Sequence, residues 1–449
     1  MSTMQPGNAG TARPSYRAAA RTAVAAMSAG GAAVGLWPLV VALASPVPVP
    51  LAALVAHVSG MLAGYGVLVL LVLMSRWPVL ERGAGSDRVA GWHAHGGRAV
   101  LTLVLVHAAA AVTVWSQVTG RTPLAAARDV LGMPGLAAAT AGTAVMVAVA
   151  VLSARSVRRA ISYEAWHALH LTMYLAVALS FVHQLAGPDL AGRPLLQVLW
   201  ALMYTYAFAL VLRYRFLAPL RTATRHDLRV AAVRPEAPGV VSIILTGRHL
   251  DELDVESGQF FRWRFLTDGL WYAAHPFSIS APPTPDRLRL TVKALGAGSR
   301  RVQQVRVGTR VIAEGPYGAM TASRRSRRNV ALIAGGVGIT PLRALFETLP
   351  LGPGQDLVLL YRARTREQLV FRAELAELAA RRGAHVVYLL GGDPGLLSPS
   401  SLARLVPGLV ERDVYLCGPP GMADAVRDSL SRAGLPPQQL HEERFAFTP

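Results

Sequence analysis

Six apolar stretches precede residue 220 of this 449-residue chain, at 24–45, 51–74, 98–116, 135–153, 164–186 and 195–216. Each approximates the ~20 residues that cross a bilayer as a helix. In lipid the backbone must satisfy its own hydrogen bonds, which leaves helices or closed barrels. A bundle of six membrane-spanning α-helices is therefore expected over residues 1–220. A hydrophobic fraction of 52% and a mean hydropathy of +0.36 are too apolar for an ordinary soluble enzyme. The formal net charge of +19 would suit nucleic acid, but aromatic residues are only 7% and the arginines flank apolar segments instead of forming one stripe. The lipid bilayer, not nucleic acid, is the expected partner.

Arginine placement gives an orientation. One set of loops carries Arg13, Arg17, Arg21, Arg76, Arg82, Arg88, Arg98, Arg155, Arg158, Arg159, Arg213, Arg215, Arg221 and Arg225, and the other only Arg121, Arg128 and Arg193. The positive-inside rule then places the N-terminus and everything after residue 220 in the cytoplasm, in a multi-pass protein of the cell membrane. A competing reading makes the first stretch a cleaved signal peptide ending near Ala42, Leu43 and Ala44; the orientation is the same.

After residue 225 short β-type runs such as Val240 to Thr246 and Leu288 to Val292 alternate with Pro and Gly turns. An antiparallel barrel or sandwich is expected over 225–323. From Asn329 onward, strand-like Val330 to Ala334, Leu357 to Tyr361, His385 to Leu389 and Asp413 to Cys417 alternate with helical segments, the pattern of a parallel α/β sheet over 329–449. The arginine run at 324–328 reads as a solvated linker between the two.

Ionisable side chains inside membrane spans tend to face a cavity, a partner or a cofactor. His93 and His107 bracket the third stretch, and His170 and His183 lie in the fifth. Fourteen residues of helix rise about 21 Å and return to within about 40° of one face, so His93 and His107 can each hold one of two stacked haems. With both spans running the same way, His93 pairs with His170 and His107 with His183. The 13 residues from His170 to His183 turn an ideal helix to about 140° apart, so an irregularity is required there. His95 and His167 are spare candidates. The single cysteine, Cys417, excludes an intramolecular disulfide and any four-cysteine iron–sulfur or zinc site.

In the second half, His275-Pro276-Phe277-Ser278-Ile279-Ser280 sits between strand-like runs, and Thr291 to Ser299 follows. The Ser278 hydroxyl can bond a flavin N5 edge, and Gly298 and Ser299 at a helix start can present N–H groups to a pyrophosphate. Read singly, each also fits an ordinary turn. Gly335-Gly336-Val337-Gly338-Ile339-Thr340-Pro341 directly follows a strand and opens a helix, where glycines let the backbone approach phosphate. Tyr415-Leu416-Cys417-Gly418-Pro419 ends another parallel strand, where open sheets place ligands; Cys417 is then beside the nicotinamide or is a small buried hydrophobe. The terminal aromatics Phe445 and Phe447 either cover a flavin face or pack an edge strand. Arg362, Arg364 and Arg366, after the second strand, suit a 2′-phosphate and favour NADPH over NADH, unless they are simply solvated.

Together these residues resemble the ferric reductase and NADPH oxidase superfamily, a six-span haem domain followed by a ferredoxin–NADP reductase-like module. The most specific matches are Trp92-His93 to His107, Trp166-His167-Ala168-Leu169-His170 to His183, His275-Pro276-Phe277-Ser278, Ala334 to Pro341 and Cys417-Gly418-Pro419. The resemblance implies that the four histidines ligate two b-type haems and that His275, Pro276, Phe277 and Ser278 bind FAD. It also implies that Gly335, Gly336, Gly338, Thr340 and Pro341 bind pyridine nucleotide, that Cys417 and Gly418 flank the nicotinamide, and that Phe447, with Phe445 second, stacks on the flavin. Oxidase relatives often carry a further histidine one turn after the outer ligand, where this chain has Ala111. The expectation is hydride transfer from NADPH (or NADH) to FAD, with Ser278 and Cys417 at the reacting centre. Electrons would then pass singly through two haems to a small external acceptor such as a ferric chelate or oxygen. Arg121, Arg128 and Arg193 either attract an anionic chelate or are interfacial arginines. The alternatives are a flavin reductase serving a cytoplasmic redox partner protein, with the membrane half as anchor, and a haem-binding membrane sensor.

Overall fold

The structure, a computed structural model, describes residues 16–133, 135–154, 157, 161 and 163–444. The chain divides into two compact units, Met1–Val211 and Leu212–Pro449.

The first unit is helical. Among the described residues five helices are long and apolar enough to cross a membrane: Tyr16–Leu43, Leu51–Met74, Arg88–Thr119, Ala165–Ala186 and Pro194–His226, the last running on into the second unit. The expected stretch at 135–153 is the helix Leu136–Leu152, which forms with Pro123–Gly132 a pair bent by 110°. The arginines Arg13, Arg155, Arg158 and Arg159, on which part of the orientation rests, lie outside the described residues.

Leu51–Met74 and Ser86–Thr119 run antiparallel and close, as three glycine positions show. A Cβ on Gly60 would meet His107, one on Gly66 would meet Val100, and one on Gly96 would meet Leu70. Ala56, Gly60 and Gly64 recur every fourth residue, so one ridge of Leu51–Met74 is small and lets neighbouring helices approach, the usual basis of packing in lipid. Around that ridge sit Met61, Leu68, Val100, Val177, Trp200 and Tyr204.

The fifth stretch is not one regular helix. Tyr163–Leu171 and Met173–Ala186 meet at Thr172, whose N–H bonds the Leu169 carbonyl three residues back at 3.1 Å. A three-residue turn winds about 120° per residue against 100° for the α-helix. It therefore overwinds the segment in the direction that brings His183 round toward the face of His170.

In the second unit, β1 (Arg229–Ala237), β2 (Val240–Thr246) and β5 (Arg287–Lys293) form one antiparallel sheet, and β4 (His275–Ser278), β3 (Phe260–Phe265) and β6 (Val311–Tyr317) another. Isolated bridges Arg229↔Arg310 and Ile279↔Leu290 link the two. The expected barrel or sandwich thus takes the form of two three-stranded sheets around Ile243, Leu245, Phe261, Trp263, Phe265 and Leu290, all fully buried. Strict alternation along β3 puts Phe261, Trp263 and Phe265 inward, and the Trp263 indole donates to the Phe277 carbonyl at 2.9 Å, tying β3 to β4.

The remainder is a five-stranded parallel sheet in the order β11 (Leu440–Arg444), β10 (Arg412–Gly418), β7 (Asn329–Gly335), β8 (Leu357–Ala363), β9 (His385–Leu390). Continuous apolar runs such as Val330 to Ala334 suit strands covered on both faces. The arginine run at 324–328 is not a free linker. Buried Asp413 accepts from the Ser326 amide at 2.6 Å, from the Arg327 amide, and from the His441 ring at 2.9 Å, so the segment is docked against β10. Burial pushes the Asp413 carboxyl up, and the His441 bond and the two amides more than offset this, leaving it below the usual carboxylate range.

Candidate functional site

Two histidine pairs form in the helical unit, in the combination expected of two spans running the same way. The ring centres of His93 and His170 are 6.0 Å apart, and those of His107 and His183 are also 6.0 Å apart. Imidazoles on opposite sides of one metal, each with nitrogen about 2.0 Å from it and the ring centre ~1.1 Å beyond, would be separated by ~6.2 Å. Both pairs fit that span. The His107 Nδ1 lies 2.8 Å from the Ala56 carbonyl, an arrangement that keeps the proton on Nδ1 and leaves Nε2 as the ligating nitrogen. Among the described residues no group of three or more His, Cys, Asp or Glu gathers as a metal site. Two histidines leave a metal's remaining positions open, and a haem macrocycle would fill them. Of the spare candidates, His95 turns Nδ1 to the Gly91 carbonyl of its own helix at 2.8 Å, and His167 lies 6.4 Å from the Trp166 ring.

Sequence reasoning missed the surroundings of the His107–His183 pair. The Gln184 side-chain oxygen accepts from the Trp200 indole at 2.9 Å and lies 2.9 Å from the Tyr204 hydroxyl, which clamps the residue next to His183. His57 Nδ1 lies 2.9 Å from Asp189 Oδ1, one residue beyond the carbonyl that holds His107. An ionisable residue within the second stretch was the available signal for His57.

In the second unit a pocket is lined by Pro276, Phe277, Ser278, Thr291, Lys293, Leu295, Val337 and Thr340, which brings the two predicted motifs together. Ser278 is 2% exposed, and its hydroxyl oxygen has no hydrogen-bond partner among the described residues. A buried hydroxyl left without a partner costs stability unless a bound group supplies one. The His275 and Phe277 rings stack with centres 6.2 Å apart, and a Cβ on Gly298 would come within 2.9 Å of His275, so Gly298 is small because the ring lies over it. The Ser299 hydroxyl is already engaged with the Leu295 and Gly296 amides, both at 2.9 Å, leaving only its backbone for a ligand.

The nucleotide loop meets the end of β10. A Cβ on Gly338 would fall 2.3 Å from the Cys417 carbonyl oxygen, and one on Gly335 would fall 2.3 Å from the Met422 sulfur. Gly336 has φ +52°, a conformation that favours glycine. Thr340 donates to the Val337 carbonyl at 3.0 Å and Pro341 follows in the helix Ile339–Thr348, so these two residues fix the loop-to-helix turn. Cys417 is fully buried, and in β-ladder register it faces Glu443, a 7% exposed carboxylate that sequence reasoning did not single out. Arg362 lies within β8, not beyond it, and donates to the Asp393 carbonyl at 3.0 Å, while Arg364 is exposed in the following loop. Phe445 and Phe447 lie outside the described residues.

An ion network ties β5 to the helices Ile339–Thr348 and Arg372–Arg382. Glu374 takes bonds from Arg289 at 2.7 and 3.0 Å and from Arg343 at 2.8 Å, and the Arg289 guanidinium lies 4.6 Å over the Phe371 ring. Burial pushes the Glu374 carboxyl up, and the two arginines hold it below its ordinary value.

Three family models match the chain in order: a ferric reductase like transmembrane component over residues 59–181, an FAD-binding domain over 230–321, and an oxidoreductase NAD-binding domain over 332–428. The glycine betaine monooxygenase reductase subunit of Chromohalobacter salexigens is 29% identical over 52% of this chain and 69% of its own. The 3-ketosteroid-9-alpha-monooxygenase ferredoxin reductase component of Mycobacterium tuberculosis is 32% identical over 42% of this chain, which spans about half of that protein, 54%. Among solved structures, the FAD/NAD-binding domain of nitric oxide dioxygenase from Vibrio cholerae matches 49% of this chain and 98% of its own at 27% identity and a TM-score of 0.43.

Proposed function

We propose that this chain, an oxidoreductase in which a ferric reductase-like transmembrane component is fused to FAD-binding and NAD-binding domains, carries electrons from NADPH through FAD and two b-type haems to an acceptor on the far side of a membrane. The observation that carries the reading is the pair of histidine pairs, each with ring centres 6.0 Å apart.

Bound FAD would take two electrons as hydride and release them singly, and bound haem would relay them one at a time. Around those groups the residues of this chain have definable tasks. Ser278 offers its buried hydroxyl to the flavin edge, and Lys293 places the chain's single lysine at the same pocket. The backbone of Gly335 to Gly338 approaches the dinucleotide, and Cys417 and Gly418, packed on that loop, shape the nicotinamide side. Gly298 and Ser299 contribute amides to the pyrophosphate, and Phe447 covers the flavin face. Arg362 and Arg364 favour the 2′-phosphate of NADPH. His93 with His170, and His107 with His183, would hold the haems from either side. The arginine distribution supports cytoplasmic termini. Leu136–Leu152 supplies the sixth span, since its 17 residues sit at the lower end of the spanning range.

A second reading has support of its own, because the two relatives above are named as reductase components of monooxygenases. In that reading electrons leave the flavin for a separate protein and the membrane half is an anchor. Replacing His107 or His183 with Ala separates the two. The proposal expects loss of one haem and of far-side acceptor reduction, with NADPH oxidation by a soluble flavin acceptor retained. Full haem content in His107→Ala, or undiminished far-side reduction, would count against it.

A further inference from the structure

We infer that His57 and Asp189 form a proton-donating pair beside the outer histidine pair, and that the acceptor they serve is a quinone, which takes a proton with each electron. This inference rests on the transmembrane reading above.

The placement follows from packing. Leu51–Met74 is antiparallel to Ser86–Thr119, with Gly60 against His107 and Gly96 against Leu70, so the start of the first helix lies at the His107 end of the second. His57 is there, one residue after the carbonyl that accepts from His107 Nδ1. Asp189 lies in the turn that follows the helix carrying His183. The two side chains meet at 2.9 Å, with the aspartate side chain 11% exposed and the imidazole 30% exposed.

Burying the carboxylate of a turn between two spans against a histidine inside a span is costly, and an ionisable residue within a span is a functional candidate by default. Here the surroundings build the pair deliberately. The Trp37 indole donates to the Asp189 carbonyl at 3.3 Å and Arg193 donates to the same carbonyl at 3.2 Å and to that of Pro188 at 3.0 Å. The Arg193 guanidinium lies over the Trp37 ring at 5.7 Å. These bonds use the Asp189 backbone and leave its carboxylate to His57. Asp189 holds a proton on Nδ1, so Nε2, the ring nitrogen not engaged by Asp189, is the one that exchanges protons.

Reduction of a ferric chelate, or of oxygen to superoxide, moves one electron and needs no proton, so a held imidazole would be idle. A quinone differs: two electrons, delivered singly, and two protons convert its two carbonyls to the hydroxyls of a quinol. His57 Nε2–H gives a proton to the carbonyl oxygen as the electron arrives and is recharged from water at its exposed edge before the second transfer. NADPH supplies both electrons, and no other reductant is needed.

The test uses the full chain in lipid nanodiscs with NADPH and two acceptors, decylubiquinone and ferricyanide, the second of which takes no proton. His57→Gln and Asp189→Asn are expected to slow quinone reduction roughly 10- to 100-fold. Ferricyanide reduction and haem content should stay within twofold of wild type, and quinone reduction by wild type should slow in deuterated water. Equal losses with both acceptors would make the pair a structural strut and overturn the inference. So would quinone rates unchanged in both variants, or a wild type that reduces ferricyanide but not quinone. A wild type with no NADPH-reducible haem overturns the transmembrane reading itself, and the inference with it.

Discussion

Replacing Gly60 with Ala is the sharpest test of why the His107–His183 pair has its geometry. The added Cβ would sit 2.6 Å from His107 Nδ1 and 2.8 Å from Cε1, where contacts of about 3.5–4.0 Å are comfortable, so ring or helix must retreat by ~1 Å. The ring cannot yield freely, because its Nδ1 is bonded to the Ala56 carbonyl at 2.8 Å and its centre lies only 6.0 Å from that of His183. Overpacking of this kind costs about 1–3 kcal/mol. Falling on the ligand geometry, that weakens outer-haem binding roughly 5- to 150-fold, at 1.4 kcal/mol per tenfold. The competing effect has the opposite sign, since Ala is favoured over Gly in a helix interior by about 1 kcal/mol. If His107 held nothing, the variant would therefore be neutral or slightly more stable. The assay is the ratio of haem to flavin in the purified protein, from the reduced absorption spectrum. The expected ratio falls from about two toward about one, with the His93–His170 site intact. A ratio and spectrum matching wild type would refute the reasoning.

Nucleotide preference is tested by an Arg362→Ala/Arg364→Ala double variant, which should lose kcat/KM for NADPH by roughly tenfold or more while NADH is little affected; unchanged values for both would make the arginines bystanders. Asp413→Asn removes a carboxylate held below its ordinary range, so its cost should be full above about pH 4 and fade as the wild-type group protonates on acidification. Thermal unfolding of both proteins from pH 7 down to pH 3 reads this, and a gap that widens with acid would contradict the assignment.

How much was legible in the sequence depended on whether a feature was local. The histidine pairs were, because 14 residues of helix nearly repeat a face, and the 13-residue partner spacing correctly demanded an irregularity that the structure locates at Thr172. Four of the five parallel strands were legible as apolar runs and lie within two residues of their expected ends, whereas β11, Leu440–Arg444, carries no apolar run and was not singled out. What stayed hidden was set by distant neighbours. The Ala56–Gly60–Gly64 ridge shows as a four-residue repeat, yet its meaning comes only from His107, 47 residues on. His57 and Asp189 are 132 residues apart, and nothing local to either names the other. The arginine run at 324–328 looked solvated because charge runs usually are; the buried Asp413 that collects its amides is 87 residues beyond Ser326. Ser278 stood out from its motif, but the pocket that joins it to Thr340 and Lys293 depends on how two sheets pack.

The central claim is that electrons from NADPH reach two histidine-held haems in the first unit. It is tested most directly by adding NADPH anaerobically to the purified full chain in lipid nanodiscs while recording the visible spectrum. The account predicts low-spin b-type haem, about two per FAD, fully reduced by NADPH. Protein with flavin but no haem, or haem that stays oxidised while the flavin is bleached, would contradict it.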